Sequence, residues 1–391
     1  MLKDICINEL EKSIIPFWNK LKDIRGGFYG QVNLDLDVLK DAPKGVILHS
    51  RILWFYSGAY NATKNKELLD YAEHAFRFIS EKCYDYEFGG VYWMMDADGE
   101  PFDDMKHTYN QAFAIYGLSE YYKASGNEKA RALALRLFED IETRAVDEYG
   151  YMEAFTRNWF PTGNEQLSEN GLHADKTMNT TLHIMEAYTE LYRITRSEKV
   201  QKRLQYTLDL MIDKVYDKEK HVMKVFFNRR FELIGDIHSY GHDIEASWLI
   251  DRACDVLGSD EYKKKTSDLI VDVAENILNV AYENNSLNNE RDGREINKNR
   301  IWWVQAEAVV GFTNAYQRSG EKKFIDAAEN ILQYIMKYQK DKREGSEWLP
   351  ELTFDGKMIL DAKDPMIAGP WKCPYHNGRM CIEILNRNID I

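Results

Sequence analysis

The sequence predicts an all-α protein, a closed toroid of twelve helices carrying short β-hairpin insertions. Three observations carry that prediction. A polar turn recurs at near-constant spacing, each turn joins a buried-type helix to an amphipathic one, and unpaired helical segments stand at the two ends. The turns read Thr63-Lys-Asn-Lys-Glu, Ser125-Gly-Asn-Glu-Lys, Thr195-Arg-Ser-Glu-Lys, Gly258-Ser-Asp-Glu-Tyr and Ser319-Gly-Glu-Lys-Lys. With Asn65, Asn127, Ser197, Ser259 and Glu321 as anchors, the spacings are 62, 70, 62 and 62 residues. Self-similarity at such a period marks repeats of one supersecondary unit, here a helical hairpin.

Taken in chain order, the first element is a helix over residues 2–21. The segments 51–60, 111–122, 181–192, 245–257 and 304–316 are apolar over most of their circumference, so they form a buried inner layer. After each turn the apolar residues fall on one helical stripe, as in Leu68, Leu69, Ala72, Ala75, Phe76 and Ile79. Those helices lie outside. Extended stretches over 89–96, with a turn at Gly99, and over 222–233 read as inserted β-hairpins. A last helix over 375–387 pairs with the first as a sixth hairpin that closes the ring, with an open solenoid as the alternative. Length alone predicts two or three domains of ~150 residues. No Pro-, Ser- or Gly-rich linker divides the chain, so residues 1–391 read as a single domain.

Composition narrows the partners. The chain holds 51 Lys plus Arg against 64 Asp plus Glu, a formal net charge of −13. A nucleic-acid binder needs a basic stripe, and docking on an anionic membrane needs an excess of Lys and Arg, so both are excluded as partners. Apolar residues make up 44% and charged ones 29%, enough to bury a core. Aromatic residues are in excess: 9 Trp, 24 Tyr and 17 Phe, whose flat rings suit stacking on sugars. The five cysteines, Cys6, Cys83, Cys254, Cys373 and Cys381, contain no C-x-x-C pair and read as reduced thiols. The first residues carry charges where a signal peptide needs an apolar run, and no segment reaches the ~20 apolar residues of a membrane span. A cytoplasmic protein is expected.

Counting back from the turn anchors locates polar residues on the buried helices. Fourteen residues before the anchors lie Arg51, Phe113, His183, Glu245 and Glu307; eighteen before lie Ile47, Tyr109, Asn179, Gly241 and Trp303. The two offsets differ by four, so they share one helix face. Four of the five nearer positions are ionisable, on helices otherwise built for burial. In a toroid these positions point to the axis at one depth. Arg51, Tyr109, Asn179, His183, His242, Glu245, Trp303 and Glu307 therefore ring one central cavity. The plainer reading is a ring of internal salt bridges, with Arg51 paired to Glu245 or Glu307.

The histidines set the chemistry. His74 and His221 read as surface groups, and His49, His107 and His173 as supporting or capping groups, whereas His183, His238, His242 and His376 stand near the starts of inner helices. His238 and His242 have the i, i+4 spacing of a metal pair, but Ser239 replaces the Glu of a zinc-protease helix, and acid–base work is expected with no metal. An imidazole can accept and return a proton near neutrality. No dinucleotide fingerprint, Walker loop or nucleophile elbow occurs, so no cofactor is expected. Paired carboxylates for glycoside hydrolysis, from Glu245, Glu307, Asp243 and Glu169, stay open. Trp371 and His376 lie on a Pro-bounded loop entering the last helix, where a rigid frame carries functional residues.

Six segments carry a resemblance: Lys44-Gly-Val-Ile-Leu-His-Ser-Arg-Ile-Leu-Trp-Phe, Lys106-His-Thr-Tyr-Asn-Gln-Ala-Phe, Ala174-Asp-Lys-Thr-Met-Asn, Ser239-Tyr-Gly-His-Asp-Ile-Glu-Ala-Ser-Trp, Ile301-Trp-Trp-Val-Gln-Ala-Glu and Pro370-Trp-Lys-Cys-Pro-Tyr-His-Asn-Gly-Arg-Met. Across essentially the whole chain they resemble the cellobiose 2-epimerases of the N-acylglucosamine 2-epimerase superfamily. The resemblance implies an (α/α)6 barrel. It also implies reversible epimerisation at C2 of the reducing-end glucose of β-1,4-linked disaccharides and oligosaccharides, cellobiose to glucosyl-mannose and lactose to epilactose, without metal or nucleotide. By resemblance His242 and His376 match the general acid–base pair, supported by His183 and Arg51. Tyr109, Asn179, Glu245, Trp302, Trp303, Glu307 and Trp371 match substrate-binding positions. The implied mechanism opens the sugar ring, removes the C2 proton and returns one to the opposite face of a cis-enediolate. The alternative within the superfamily is 2-epimerisation or aldose–ketose isomerisation of a monosaccharide, mannose or N-acylglucosamine. A monomer or weak homodimer is expected.

Overall fold

Backbone hydrogen bonds that cannot face water at the protein's centre force the apolar segments into helices, and each of the five runs eighteen residues. The computed structural model describes residues 1–164, 172–359 and 365–389. Helix α1 spans residues 2–19, with one turn of π-helix at Leu10–Ile14. The hairpins follow as α2 (Val46–Thr63) with α3 (Glu67–Phe78), α4 (Thr108–Ser125) with α5 (Glu128–Arg144), and α6 (Met178–Thr195) with α7 (Glu198–Leu210). Then come α8 (Tyr240–Leu257) with α9 (Asp260–Val280), α10 (Trp302–Ser319) with α11 (Lys322–Tyr334), and finally α12 (His376–Asn386). The inner helices begin earlier than the apolar pattern alone predicts, because their first turns carry polar residues that are also buried, such as His49, Ser50, Asn110 and Gln111.

The recurring turn has a simple cause. Each of the first five inner helices ends on a residue of positive φ, Lys64, Gly126, Arg196, Gly258 and Gly320, whose N–H bonds the carbonyl four residues back. That cap satisfies an orphan carbonyl and suits glycine, which fills three of the five places. Asn127 and Ser259 then accept the first N–H groups of α5 and α9.

The inner helices close a ring: α2 packs on α4, α4 on α6, α6 on α8, α8 on α10, α10 on α12 and α12 on α2. Helix α1 covers α12, so the sixth hairpin is assembled from two distant parts of the sequence. The architecture is the (α/α)6 barrel, not an open solenoid. Neighbouring inner helices nearly touch: a Cβ at Gly117 would lie 2.5 Å from the Ser50 carbonyl oxygen, and one at Gly311 2.7 Å from that of Ile244.

Short antiparallel strands collar the end where the inner helices start. Lys44–Gly45 pairs with Met94–Met95, Lys106–His107 with Ala154–Phe155, and Lys176–Thr177 with Phe226–Phe227. Ile237–Ser239 pairs with Glu290–Asp292, Arg300–Ile301 with Glu351–Leu352, and Met366–Ala368 with Val32–Asn33. In each repeat the strand leading into an inner helix bonds to one that follows the outer helix. The two hairpins expected from sequence belong to this collar: Met94–Met95 folds back on Pro101–Asp103 across Gly99, and Phe226–Phe227 on Leu233–Ile234. Among the described residues no helix is long and apolar enough to cross a membrane.

Candidate active site

The first two turns of the inner helices, just inside the collar, hold the ring found by counting back. Arg51 on α2 is buried and donates to the Tyr109 hydroxyl at 2.8 Å. Its guanidinium lies 4.2 Å over Phe113 and 4.8 Å over Tyr375. It does not pair with Glu245 or Glu307, which corrects the salt-bridge reading. Those carboxylates are taken by Arg379 of α12, fully buried, which bonds Glu186, Glu245, Glu307 and the Tyr375 hydroxyl.

Three imidazoles face this cavity with Nδ1 engaged. His376 Nδ1 meets Glu307 Oε1 at 2.7 Å, and Glu307 Oε2 accepts the Trp248 indole N–H at 3.0 Å. His183 Nδ1 meets Glu186 at 2.7 Å, and His242 Nδ1 meets the Ser239 hydroxyl at 2.7 Å. A carboxylate at Nδ1 holds the proton there and leaves Nε2 as the basic nitrogen. Burial drives His242 down to about 3, helped by His183. His376 is lowered well below the usual imidazole value by burial and then by Arg379 and Arg51. Both rings are thus neutral near neutral pH, the form that takes a proton. Burial raises Glu245 to about 7, with Glu307 adding to it, and burial also raises Glu307. Burial works to raise Glu186 too, but Arg379 and His183 outweigh it and hold that carboxylate at about 2.

Aromatic rings complete the walls. Trp303 lies 4.8 Å from His242 and 5.4 Å from His376, and Trp302 meets His376 edge-on at 5.4 Å. Gly241 permits this: a Cβ there would stand 2.6 Å from the Trp303 ring. Trp371 is 45% exposed, 6.3 Å from Tyr109 and 5.8 Å from Trp93, at a cleft of 330 Å³ shared with Trp302, Trp303, Pro350 and Lys372. Asn179 Oδ1 is buried without a protein partner.

The sequence model of the N-acylglucosamine 2-epimerase (GlcNAc 2-epimerase) family matches residues 27–376. The cellobiose 2-epimerase of Ruminococcus albus is 59% identical over 384 residues, covering 98% of each chain. The chain belongs to the N-acylglucosamine 2-epimerase family. A solved structure of a sugar epimerase from a ruminal bacterium matches with a TM-score of 0.98 at 57% identity, covering 100% of both chains. The structure of cellobiose 2-epimerase from Bacillus thermoamylovorans matches with a TM-score of 0.94 at 46% identity, over 98% of this chain and 99% of that one. The protein is therefore an epimerase, an isomerase acting on carbohydrate.

In this family member the structure separates the two histidines of the metal-type motif. Helix α8 begins at Tyr240, so His238 sits on the preceding strand and bonds Asp243 at 2.7 Å, while His242 turns inward to Ser239. Asp243 also accepts the Met223 N–H. Glu169 lies outside the described residues. The one metal-type cluster among the described residues, Glu245, Glu307 and His376, has the Arg379 guanidinium bonded to both carboxylates, which supplies their cation. His49 is fixed between Phe28 N–H and the Gly45 carbonyl, and His107 packs at a tilt against Trp93, 4.3 Å between ring centres. His74 is half-buried on the Gly27 carbonyl at 2.7 Å, not a solvated group.

From sequence, Arg379, Glu186 and Tyr375 have no role, and Ser239 enters only as a departure from the metal motif. Arg379 has no polar turn after its helix from which to count. Glu186 did leave a signal: eleven residues before the anchors stand Trp54, Tyr116, Glu186, Trp248 and Val310, one acid in an apolar layer.

Proposed function

We propose that the protein reversibly epimerises C2 of the reducing-end glucose in β-1,4-linked disaccharides, cellobiose and lactose among them. Supporting the reading is the pair His242 and His376, two neutral imidazoles that both pack against Trp303, in a ring that also holds a buried guanidinium with no carboxylate partner. In the closed sugar C2–H is not acidic. Ring opening moves the O1 proton off and gives O5 one, leaving an aldehyde at C1. One imidazole Nε2 then removes the C2 proton, and the electron pair moves through C1 onto O1 as a cis-enediolate. Arg51, with fixed donors in a cavity shielded from water, stabilises that charge by several kcal/mol. The captured proton passes by solvent exchange to Nε2 of the second imidazole, which delivers a proton to the other face of C2, and the ring closes as the 2-epimer. Glu307 and Ser239 set the orientation of His376 and His242. His183, with Glu186, sits beside Tyr109 and Asn179 as a binding and supporting group.

Trp303 stacks on the reacting sugar, and Trp371, on the open side, carries the second. Glu245 and Trp302 complete the binding set. The same reading takes residues 1–391 as one catalytic unit, a monomer or weak homodimer working in the cytoplasm, where five buried free thiols stay reduced.

Cellobiose incubated with the protein in D2O and followed by NMR at C2 tests the proposal. The glucosyl-mannose product carries one solvent deuterium at C2; product without it refutes the proton-transfer route. Rates on mannose and N-acetylglucosamine fall below that on cellobiose, and the reverse order would assign the site to a monosaccharide.

A further inference from the structure

We infer that Lys372, Glu347 and Asn377 form a positioning clamp that fixes Trp371, on the loop entering α12, relative to His376, the first residue of that helix. This rests on the reading of His376 as an acid–base group. Glu347 is buried and makes an ion pair with Lys372, and its other oxygen accepts from the Asn377 amide. The two partners bracket His376 in the chain, and Lys372 directly follows Trp371. One carboxylate thus grips the chain on both sides of the imidazole, the loop at Lys372 and the start of α12 at Asn377.

The clamp is anchored to the frame and not to the loop itself. Glu347 sits between buried Ser346 and Trp348, and the Trp348 indole donates to Glu9 of α1 at 2.9 Å. A second route reaches the imidazole through a ring: Lys372 Nζ lies 4.3 Å over Trp302, whose edge meets His376 at 5.4 Å. At the head of the loop, Gly369 N–H bonds the Lys372 carbonyl at 2.9 Å, closing the turn that presents Trp371 to the cleft. None of these three residues has a contact with the catalytic nitrogen atoms. Their work is geometric, and a displacement of about 1 Å in a catalytic group lowers turnover on the order of a hundredfold.

Three variants test the clamp: Lys372→Arg, Lys372→Met, and the double variant Lys372→Met with Glu347→Gln. The double variant removes both buried charges, so it avoids the lone carboxylate that endangers folding of the single one. With cellobiose, kcat of Lys372→Met and of the double variant falls about a hundredfold while KM stays within about threefold, and Lys372→Arg keeps kcat within about threefold of the parent. A double variant at parental kcat overturns the clamp, as does a Lys372→Arg loss as deep as that of Lys372→Met. If the Met variants do not fold, Lys372→Arg decides: parental kcat supports the clamp and a hundredfold loss overturns it. Parent enzyme that incorporates no deuterium at C2 fails the underlying reading instead, whatever the variants do.

Discussion

Arg51→Met separates what the cavity does for folding from what it does for chemistry. The substitution keeps the aliphatic stem and deletes the charge. Arg51 is 3% exposed, and its polar partners are the Tyr109 hydroxyl and the Cys373 thiol, with Nε unpartnered. Burying a guanidinium costs several kcal/mol. Against this stand a desolvated cation–π contact of about 2 kcal/mol and a charged hydrogen bond of about 1.5–3 kcal/mol. The terms nearly cancel, so the methionine variant should unfold within about 2 kcal/mol of the parent, on either side of it. Catalysis changes far more. Loss of the enediolate's donors lowers kcat by about 10²–10³, or roughly 2.7–4 kcal/mol. Urea denaturation gives the first quantity and initial rates of cellobiose epimerisation the second. A variant that loses more than about 3 kcal/mol of stability, or keeps more than about a tenth of the rate, refutes this account of the guanidinium.

Three further outcomes are expected. Burial pushes His242 down to about 3 in the folded protein, from near 6.5 for a free imidazole, so between these values the unfolded chain binds the extra proton. Its contribution to stability is therefore complete above the unfolded value and is lost as pH falls toward the folded one, by up to about 1.4 kcal/mol per pH unit; melting of parent and His242→Gln over that window checks it, the parent falling more steeply. Trp371→Ala raises KM for cellobiose about tenfold and leaves the melting temperature in place, since the side chain is 45% exposed. An unchanged KM removes Trp371 from the binding set. Gly117→Ala drives a Cβ toward the Ser50 carbonyl oxygen at 2.5 Å and destabilises by about 1–3 kcal/mol in urea, where a parental midpoint contradicts the close approach of α2 and α4.

Much of this molecule was legible in its sequence because the repeat carries its own ruler. The left-handed cap at Lys64, Gly126, Arg196, Gly258 and Gly320 fixes the distance from turn to cavity, so Arg51, His183, Glu245 and Glu307 arrive at one depth. That ruler stops at α12, whose helix has no following turn, so it does not reach Arg379, which bonds two carboxylates of the ring, Glu245 and Glu307, and Glu186 beside it. Pairing preference misled for the same reason. With Arg51 as the one cation in view, the spacing assigns it the cavity carboxylates; with two, the fully buried Arg379 takes them and Arg51 is left to aromatic rings and Tyr109. His238 shows a third limit. Spacing by four means one face only if both residues are helical, and the strand Ile237–Ser239 ends between them.

The sixth hairpin has a consequence for biosynthesis. Helix α1 is made early, and its partner α12 leaves the ribosome after every other helix of the barrel. His376 and Arg379 ride on that last helix, so a nascent chain can pair five hairpins and still lack one histidine of the proposed acid–base pair and the cation that holds the cavity carboxylates. Contacts between segments this far apart are the slow ones to form, and until they do the inner faces of α2 and α10 stay uncovered. Activity in this architecture is thus a report that synthesis has reached the end of the barrel and that its two ends have met.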